Sequence, residues 1–70
     1  MRDKILVRGD ALKRARIVSG MTKSELAKRA GINHSSVVRA EQGKSVSPGV
    51  ARSVCVAFGK SFDELFEITK

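Results

Sequence analysis

Few side chains in this chain are of the types that carry out covalent or metal chemistry. The chain has one cysteine, Cys55, and one histidine, His34, in 70 residues. A nucleophile needs a neighbouring base and a third group to orient it, and a metal needs several ligands at fixed spacing. The acidic residues at 63, 64 and 67 fall together on one late segment, where they suit the first turn of a helix. The sequence therefore predicts no catalytic residue, no metal and no cofactor, and the protein is not expected to be an enzyme.

Cationic side chains are numerous and unevenly distributed. Residues 1–44 contain 11 Lys+Arg and 4 Asp+Glu, whereas residues 45–70 contain 3 of each, so the whole net charge of +7 lies in the first segment. A basic surface suits a polyanion, and the phosphate backbone of nucleic acid is the commonest one. The alternative is a charged surface that only keeps a small protein in solution.

Cysteine usage and hydropathy indicate where such a protein works. A single cysteine excludes an internal disulfide and fits a reducing compartment. The longest apolar run, residues 54–58, is far shorter than a membrane span, and residues 5–7 are too short for the core of a secretory signal. We therefore expect a cytoplasmic, nucleoid-associated protein without a membrane partner.

The segment Lys23–Gln42 predicts two short helices around a tight turn. Leu26, Ala27 and Ala30 share one face of the first helix. The same spacing recurs on the second helix at Val37, Ala40 and Glu41. Between the helices lies Gly31, where a positive φ costs glycine little. This is the pattern of a helix-turn-helix, whose second helix enters the major groove of DNA.

Five helices are predicted in all, from apolar spacing and from residues that suit helix ends. Thr22 with Glu25 and Ser61 with Glu64 have the spacing of capping boxes, and Ser47 precedes a proline that suits a first helical turn. The predicted bounds are residues 10–19, 23–30, 34–42, 48–58 and 62–66. Residues 44–45 are a predicted loop, and residues 4–9 are either a short strand or an arm that packs on the domain or on a second copy. The expected domains are an N-terminal arm or strand (1–9) and a helix-turn-helix domain (10–70).

From Leu12 to Leu65 the chain resembles the lambdoid-phage repressor and Cro-like family of helix-turn-helix proteins, also called the Xre family. The resemblance rests on LKRARIVSGMTKSELAKRAGI, then NHSSVVRAEQG, then SPGVARSVCVAFGKSFDEL. The small or apolar positions of the motif are occupied by Leu26, Ala27, Ala30, Gly31, Ile32, Val37 and Ala40. The resemblance implies an all-α, five-helix, repressor-like DNA-binding domain. It also implies a sequence-specific regulator of transcription, in particular a repressor, that binds double-stranded DNA.

The resemblance also implies which residues contact bases. The third helix is the recognition helix of the family, and its first exposed residues face the base edges. In this chain those residues are Asn33, His34 and Ser35, with Arg39 one turn further along the same side. A bidentate contact between Arg39 and guanine would give about 1–3 kcal/mol of discrimination. Val38, beside them, could touch a thymine methyl group.

Two further sets of residues follow from the same resemblance. Lys23, Ser36 and Lys44 are the expected phosphate contacts. Many family members have glutamine where this chain has Lys23, so we expect a charge contact there with less defined geometry. Arg16 and Glu41 are expected to form a structural ion pair between the first and third helices, and their positions on the helical faces support this independently.

Family members usually bind as two-fold dimers on half-sites about 34–36 Å apart, so a homodimer is expected. The predicted contact is the region of the fourth and fifth helices that includes Phe62 and Phe66, or the arm at residues 5–7. Val56 and Ile68 are further candidates. Two alternative functions remain open: an antitoxin that also binds a toxin partner, and a protein-interaction module that binds no specific DNA.

Overall fold

The computed structural model describes residues 3–69, in which five helices accompany three short strands. In chain order the elements are β1 Lys4–Val7, α1 Gly9–Val18, α2 Lys23–Ala30, α3 His34–Glu41, β2 Ser45–Val46, α4 Pro48–Phe58, α5 Phe62–Leu65 and β3 Phe66–Thr69. The five predicted helices are all present, and their bounds lie within one residue of the predicted ones. Residues 1, 2 and 70, which belong to the expected domain ranges, lie outside the described residues.

Helices α2 and α4 begin at residues whose side chains cap them. At the start of α2 the Thr22 hydroxyl accepts the backbone N–H of Glu25 at 3.1 Å, and the Glu25 carboxylate accepts the N–H of Thr22 at 2.8 Å. At the start of α4 the Ser47 hydroxyl accepts the N–H of Val50 at 3.3 Å. These bonds satisfy amides that have no partner within the helix, which is why short polar residues at these positions predict a helix start.

The three strands form one antiparallel sheet in the order β2-β1-β3. The expected all-α fold is therefore wrong here. The predicted loop at residues 44–45 is present at residue 44 but wrong at residue 45, which begins β2, and the fifth helix ends at residue 65 instead of extending to residue 66. Residues 4–7 form the strand that was one of the two alternatives for this segment. Strands of two to four residues are too short to show an alternating pattern, and their partners lie far away in sequence. Local patterning therefore offered a strand at residues 4–9 alone, as one of two alternatives, and none at residues 45–46 or 66–69.

The core draws side chains from all five helices and from two strands. Its buried members are Val7, Leu12, Ala15, Leu26, Ala27, Val37, Ala40, Ala51, Val54, Leu65 and Phe66. Phe66 is 0% exposed. It closes the core from β3, so it cannot form the dimer contact predicted for it. No helix within residues 3–69 combines the length and the hydropathy that a membrane crossing requires.

Candidate nucleic-acid interface

The turn between α2 and α3 is fixed by backbone geometry and by one apolar side chain. Gly31 ends α2 with φ +70°, and the backbone N–H of Ile32 returns to the carbonyl of Ala27 at 2.9 Å. Ile32 then packs half-buried against the core. Leu26 is fully buried. The two helices therefore pack together as a unit, and the orientation of α3 follows from that of α2.

A buried ion pair connects α1 to the end of α3. Arg16 donates from Nε to one Glu41 carboxylate oxygen at 2.5 Å and from Nη2 to the other at 3.3 Å. The same guanidinium donates from Nη1 to the carbonyl of Met21 at 2.9 Å. The two side chains are only 11% and 6% exposed. The pair therefore fixes the C-terminal end of α3 against α1.

The exposed face of α3 is polar, and its side chains make no hydrogen bonds with polar groups of the described chain. Asn33, His34, Ser35 and Arg39 are all exposed. Asn33 occupies the cap position of α3, but its side chain makes no capping hydrogen bond. None of the four side chains forms a hydrogen bond or an ion pair within residues 3–69. Their donors and acceptors are all available to a ligand.

Helical spacing orders this face. Ser35 and Arg39 are four residues apart and therefore adjacent on the helix surface, and His34 and Val38 are adjacent in the same way. Val38 is half-buried. Sequence reasoning did not select Gln42, which is exposed three residues after Arg39 at the end of α3. The same helical spacing that places Arg39 on this face, extended by one more turn, would have indicated Gln42.

The residues predicted to contact phosphate lie around α3 in different places. Lys23 is the first residue of α2 and is half-buried, whereas Lys44 is exposed in the link from α3 to β2. Ser36 and Arg39 line one open groove, together with residues 45–47 and 50. The structure therefore brings Ser36 next to Arg39 and places the two lysines at opposite ends of the helix-turn-helix.

Four of the seven acidic side chains form ion pairs or hydrogen bonds within the fold. Glu41 pairs with Arg16, and Glu67 pairs with Arg8 at 3.0 Å. Glu25 and Glu64 accept backbone N–H groups at the starts of α2 and α5, and these hydrogen bonds lower the pKa of each carboxyl below its usual value. Within the described chain, the cations of the helix-turn-helix without an ion-pair partner are Lys23, Lys28, Arg29, Arg39 and Lys44. These five cations outnumber Glu25, the one acidic side chain of residues 23–44 that has no ion-pair partner, so the helix-turn-helix carries an excess of positive charge.

The side chains suited to metal binding and thiol chemistry are few and separated in this structure. The part of the chain that the structure describes holds no group of three His, Cys, Asp or Glu side chains able to bind a metal ion. The Cys55 thiol is half-buried in α4, and this burial, with a smaller contribution from Glu64, raises its pKa. A raised pKa disfavours the reactive thiolate.

Comparison with known proteins agrees with this geometry. A family model described as helix-turn-helix matches residues 12–65. The chain is similar to the restriction-modification controller protein C.AhdI from Aeromonas hydrophila, with 26% identity over 80% of this chain and 86% of that one and a TM-score of 0.73. It is also similar to the clp gene regulator ClgR from C. glutamicum, with 35% identity, 80% and 74% coverage and a TM-score of 0.67.

A third solved structure, the transcriptional regulator VanUg, shares the fold at 23% identity, with 94% of this chain and 88% of that one covered and a TM-score of 0.73. No curated protein sequence matches the chain. The family match spans most of the residues that form α1 to α5, including the whole helix-turn-helix. The chain therefore belongs to the Xre/Cro-like helix-turn-helix family of DNA-binding transcriptional regulators.

Proposed function

We propose that this protein is a sequence-specific repressor that binds double-stranded DNA as a homodimer, with α3 of each copy in the major groove. The observation that carries the proposal is the contrast between the two faces of α3. Val37 and Ala40 are each 1% exposed on one face, whereas the polar side chains on the other face have no partner within residues 3–69. A rigidly held helix with unsatisfied donors and acceptors suits the edges of base pairs.

Base contacts are assigned to Asn33, His34, Ser35 and Arg39. Arg39 carries the fork of donors that matches the O6 and N7 acceptors of guanine. Ser35, adjacent to Arg39, can donate or accept a hydrogen bond. The Asn33 amide makes no capping bond, so it is free to pair with the N6 and N7 atoms of adenine.

Phosphate contacts are assigned to Lys23, Ser36 and Lys44. Contacts of this kind position the protein on DNA without selecting sequence. The excess of cations in the helix-turn-helix supports them, because Glu41 is neutralised by Arg16 and Glu25 is the one other acidic side chain in residues 23–44. Each lysine should contribute roughly one unit to the slope of log affinity against log salt concentration.

Dimeric binding and repression complete the proposal. One helix-turn-helix covers a half-site, and two copies related by a two-fold axis double the contact with DNA. Repression requires only that the bound dimer occupies a promoter and excludes other proteins from it. The similarity to ClgR, which is described as a gene regulator, supports a role in controlling transcription.

The experiment is selection of duplex DNA from a random pool at physiological salt, using the wild type, Arg39→Ala and Arg14→Ala. Arg14 is a matched control because it is an exposed arginine on α1, beside α5. We expect the wild type to enrich an inverted repeat. Arg39→Ala should lose one base preference in each half-site and bind its site about 5- to 150-fold more weakly per contact. Arg14→Ala should keep the motif.

Two outcomes would contradict the proposal. If the pool is retained without any enriched motif, and binding collapses as salt rises, the net charge binds phosphate without sequence selection. If Arg14→Ala and Arg39→Ala relax the same base position equally, the effect is one of charge, and α3 is not the recognition element.

A further inference from the structure

The outer edge of β3 is open to another strand. Within residues 3–69, β3 pairs only with β1. Edge strands are usually protected by proline, lysine, a bulge or a covering loop. The sequence of β3 is Phe-Glu-Ile-Thr, and its one charge, Glu67, already accepts a hydrogen bond from Arg8 at 3.0 Å. The strand therefore lacks the usual protection against pairing.

The backbone of β3 presents its free groups at one residue in particular. Antiparallel ladders alternate between hydrogen-bonded and non-hydrogen-bonded pairs. The N–H of Arg8 donates to the carbonyl of Leu65 at 2.7 Å, and the register places Glu67 and Thr69 at the following hydrogen-bonded positions. The N–H and C=O of Ile68 consequently point away from β1, towards the open edge.

Apolar side chains form a row across the sheet that ends at the same residue. Val46 lies opposite Ile5, and Ile5 lies opposite Ile68, so the three side chains share one face. Phe66, on this face, is buried beneath the helices, but Ile68 is 61% exposed. At this end of the sheet the three residues line an open cavity with Pro48. The row therefore stops abruptly at solvent.

We propose that β3 pairs with β3 of a second copy of this chain, antiparallel, about a two-fold axis at Ile68. Each Ile68 then donates its N–H to the carbonyl of Ile68 in the other copy. The apolar row continues across the axis, so that it runs through six strands without interruption. Glu67 faces Thr69 of the second copy, and no like charges stand opposite each other.

Other symmetric arrangements fit less well. An axis at Glu67 would place two carboxylates directly opposite each other, which is destabilising. The arm contact predicted at residues 5–7 is not available for strand pairing, because β1 already has a strand on each side. The free backbone groups and the exposed end of the apolar row both lie at Ile68, so a two-fold axis at this residue gives both a partner at once. This coincidence favours a second copy over an unrelated strand.

The interface rests on the homodimer of the proposed function, but it can be tested without DNA. The measurement is sedimentation velocity over a series of protein concentrations, using the wild type, Ile68→Lys, Ile68→Pro and Val56→Lys. Proline at residue 68 removes only the N–H that faces the open edge, so the ladder with β1 is kept. Val56 is the matched control, because it is 72% exposed on α4 and equally apolar.

We expect the wild type to dimerise, and each Ile68 variant to raise the dimer dissociation constant about tenfold or more. Ile68→Pro removes the two backbone hydrogen bonds across the axis, whereas Ile68→Lys keeps them but replaces the apolar contact with two cations facing each other. Val56→Lys should dimerise like the wild type. Circular dichroism of every variant establishes that its helices are intact. A wild type that stays monomeric at all concentrations overturns the proposal, and so does a dimer that is insensitive to both Ile68 variants or equally sensitive to Val56→Lys.

Cross-linking tests the axis itself. In a Cys55→Ser background, Ile68→Cys should form a disulfide-linked dimer under mild oxidation, because paired residues at such an axis have Cα atoms about 5.5 Å apart, within disulfide range. Val56→Cys in the same background is the control. Failure of the Ile68→Cys chain to cross-link faster than the control overturns the axis. DNA selection by the wild type is unaffected by this result, so failure of the interface and failure of DNA recognition are distinguishable.

Discussion

Replacing Arg16 by methionine should remove a large part of the stability of this fold. Methionine has nearly the length of the arginine stem but carries no charge, so Glu41 would remain buried without its partner. Glu41 is only 6% exposed and accepts two hydrogen bonds from the guanidinium. The carbonyl of Met21 would lose its bond at 2.9 Å as well.

The expected loss of unfolding free energy is about 3–5 kcal/mol, the usual cost of stranding one member of a buried pair. A domain of this size has a total stability of roughly 3.5–10 kcal/mol. Each kcal/mol shifts the melting temperature of such a domain by about 4–8 °C, so Arg16→Met should melt at least about 12 °C lower. Glu41→Leu should cost a similar amount, because it strands the cation.

The assay is urea unfolding followed by circular dichroism, since the chain contains no tryptophan or tyrosine. The double variant Arg16→Met/Glu41→Leu should be more stable than the sum of the single losses implies, because it leaves no unpaired charge. Arg8→Met is the control: its pair with Glu67 is 45% exposed on both sides and should contribute at most about 1 kcal/mol. Single losses below about 1 kcal/mol at residues 16 and 41 would refute a stabilising role for the buried pair.

Two further predictions concern glycine positions and acid. Gly9→Ala should destabilise the protein, because its Cβ would lie 2.6 Å from the carbonyl oxygen of Glu41. Gly49→Ala has open space around it and should stabilise the protein by about 0.4–1 kcal/mol. Thermal melts compare the two variants, and equal melting temperatures would contradict the clash at residue 9. Because hydrogen bonds in the folded state lower the pKa of Glu25 and Glu64, their stabilisation is present above the usual glutamate pKa and is lost as pH falls through the lowered values. Melting temperatures measured from about pH 6 to pH 3 should therefore fall, and should fall less in a Glu25→Gln/Glu64→Gln variant; an identical slope would contradict this linkage.

Local sequence determined the helices and the helix-turn-helix. The pairing of Thr22 with Glu25, and the glycine at residue 31, act within one turn of chain, so their effect does not depend on what the rest of the protein does. The apolar spacing of α2 and α3 likewise assigns Leu26 and Val37 to the core. The exposed polar face of α3 follows, because a helix with one face buried must present the other.

Only the tertiary structure determines how the strands pair and which atoms lie next to individual residues. The strands at 4–7, 45–46 and 66–69 are held by partners that are distant in sequence, and the apolar row that ends at Ile68 exists only in their register. Gly9 lies in a segment that the sequence leaves as a strand or an arm, and nothing in the sequence shows that the carbonyl of Glu41 leaves no room there for a side chain. Short-range sequence patterns reflect interactions between residues within one helical turn. Packing distances and strand register depend instead on segments that are distant in sequence and come together only in the folded protein.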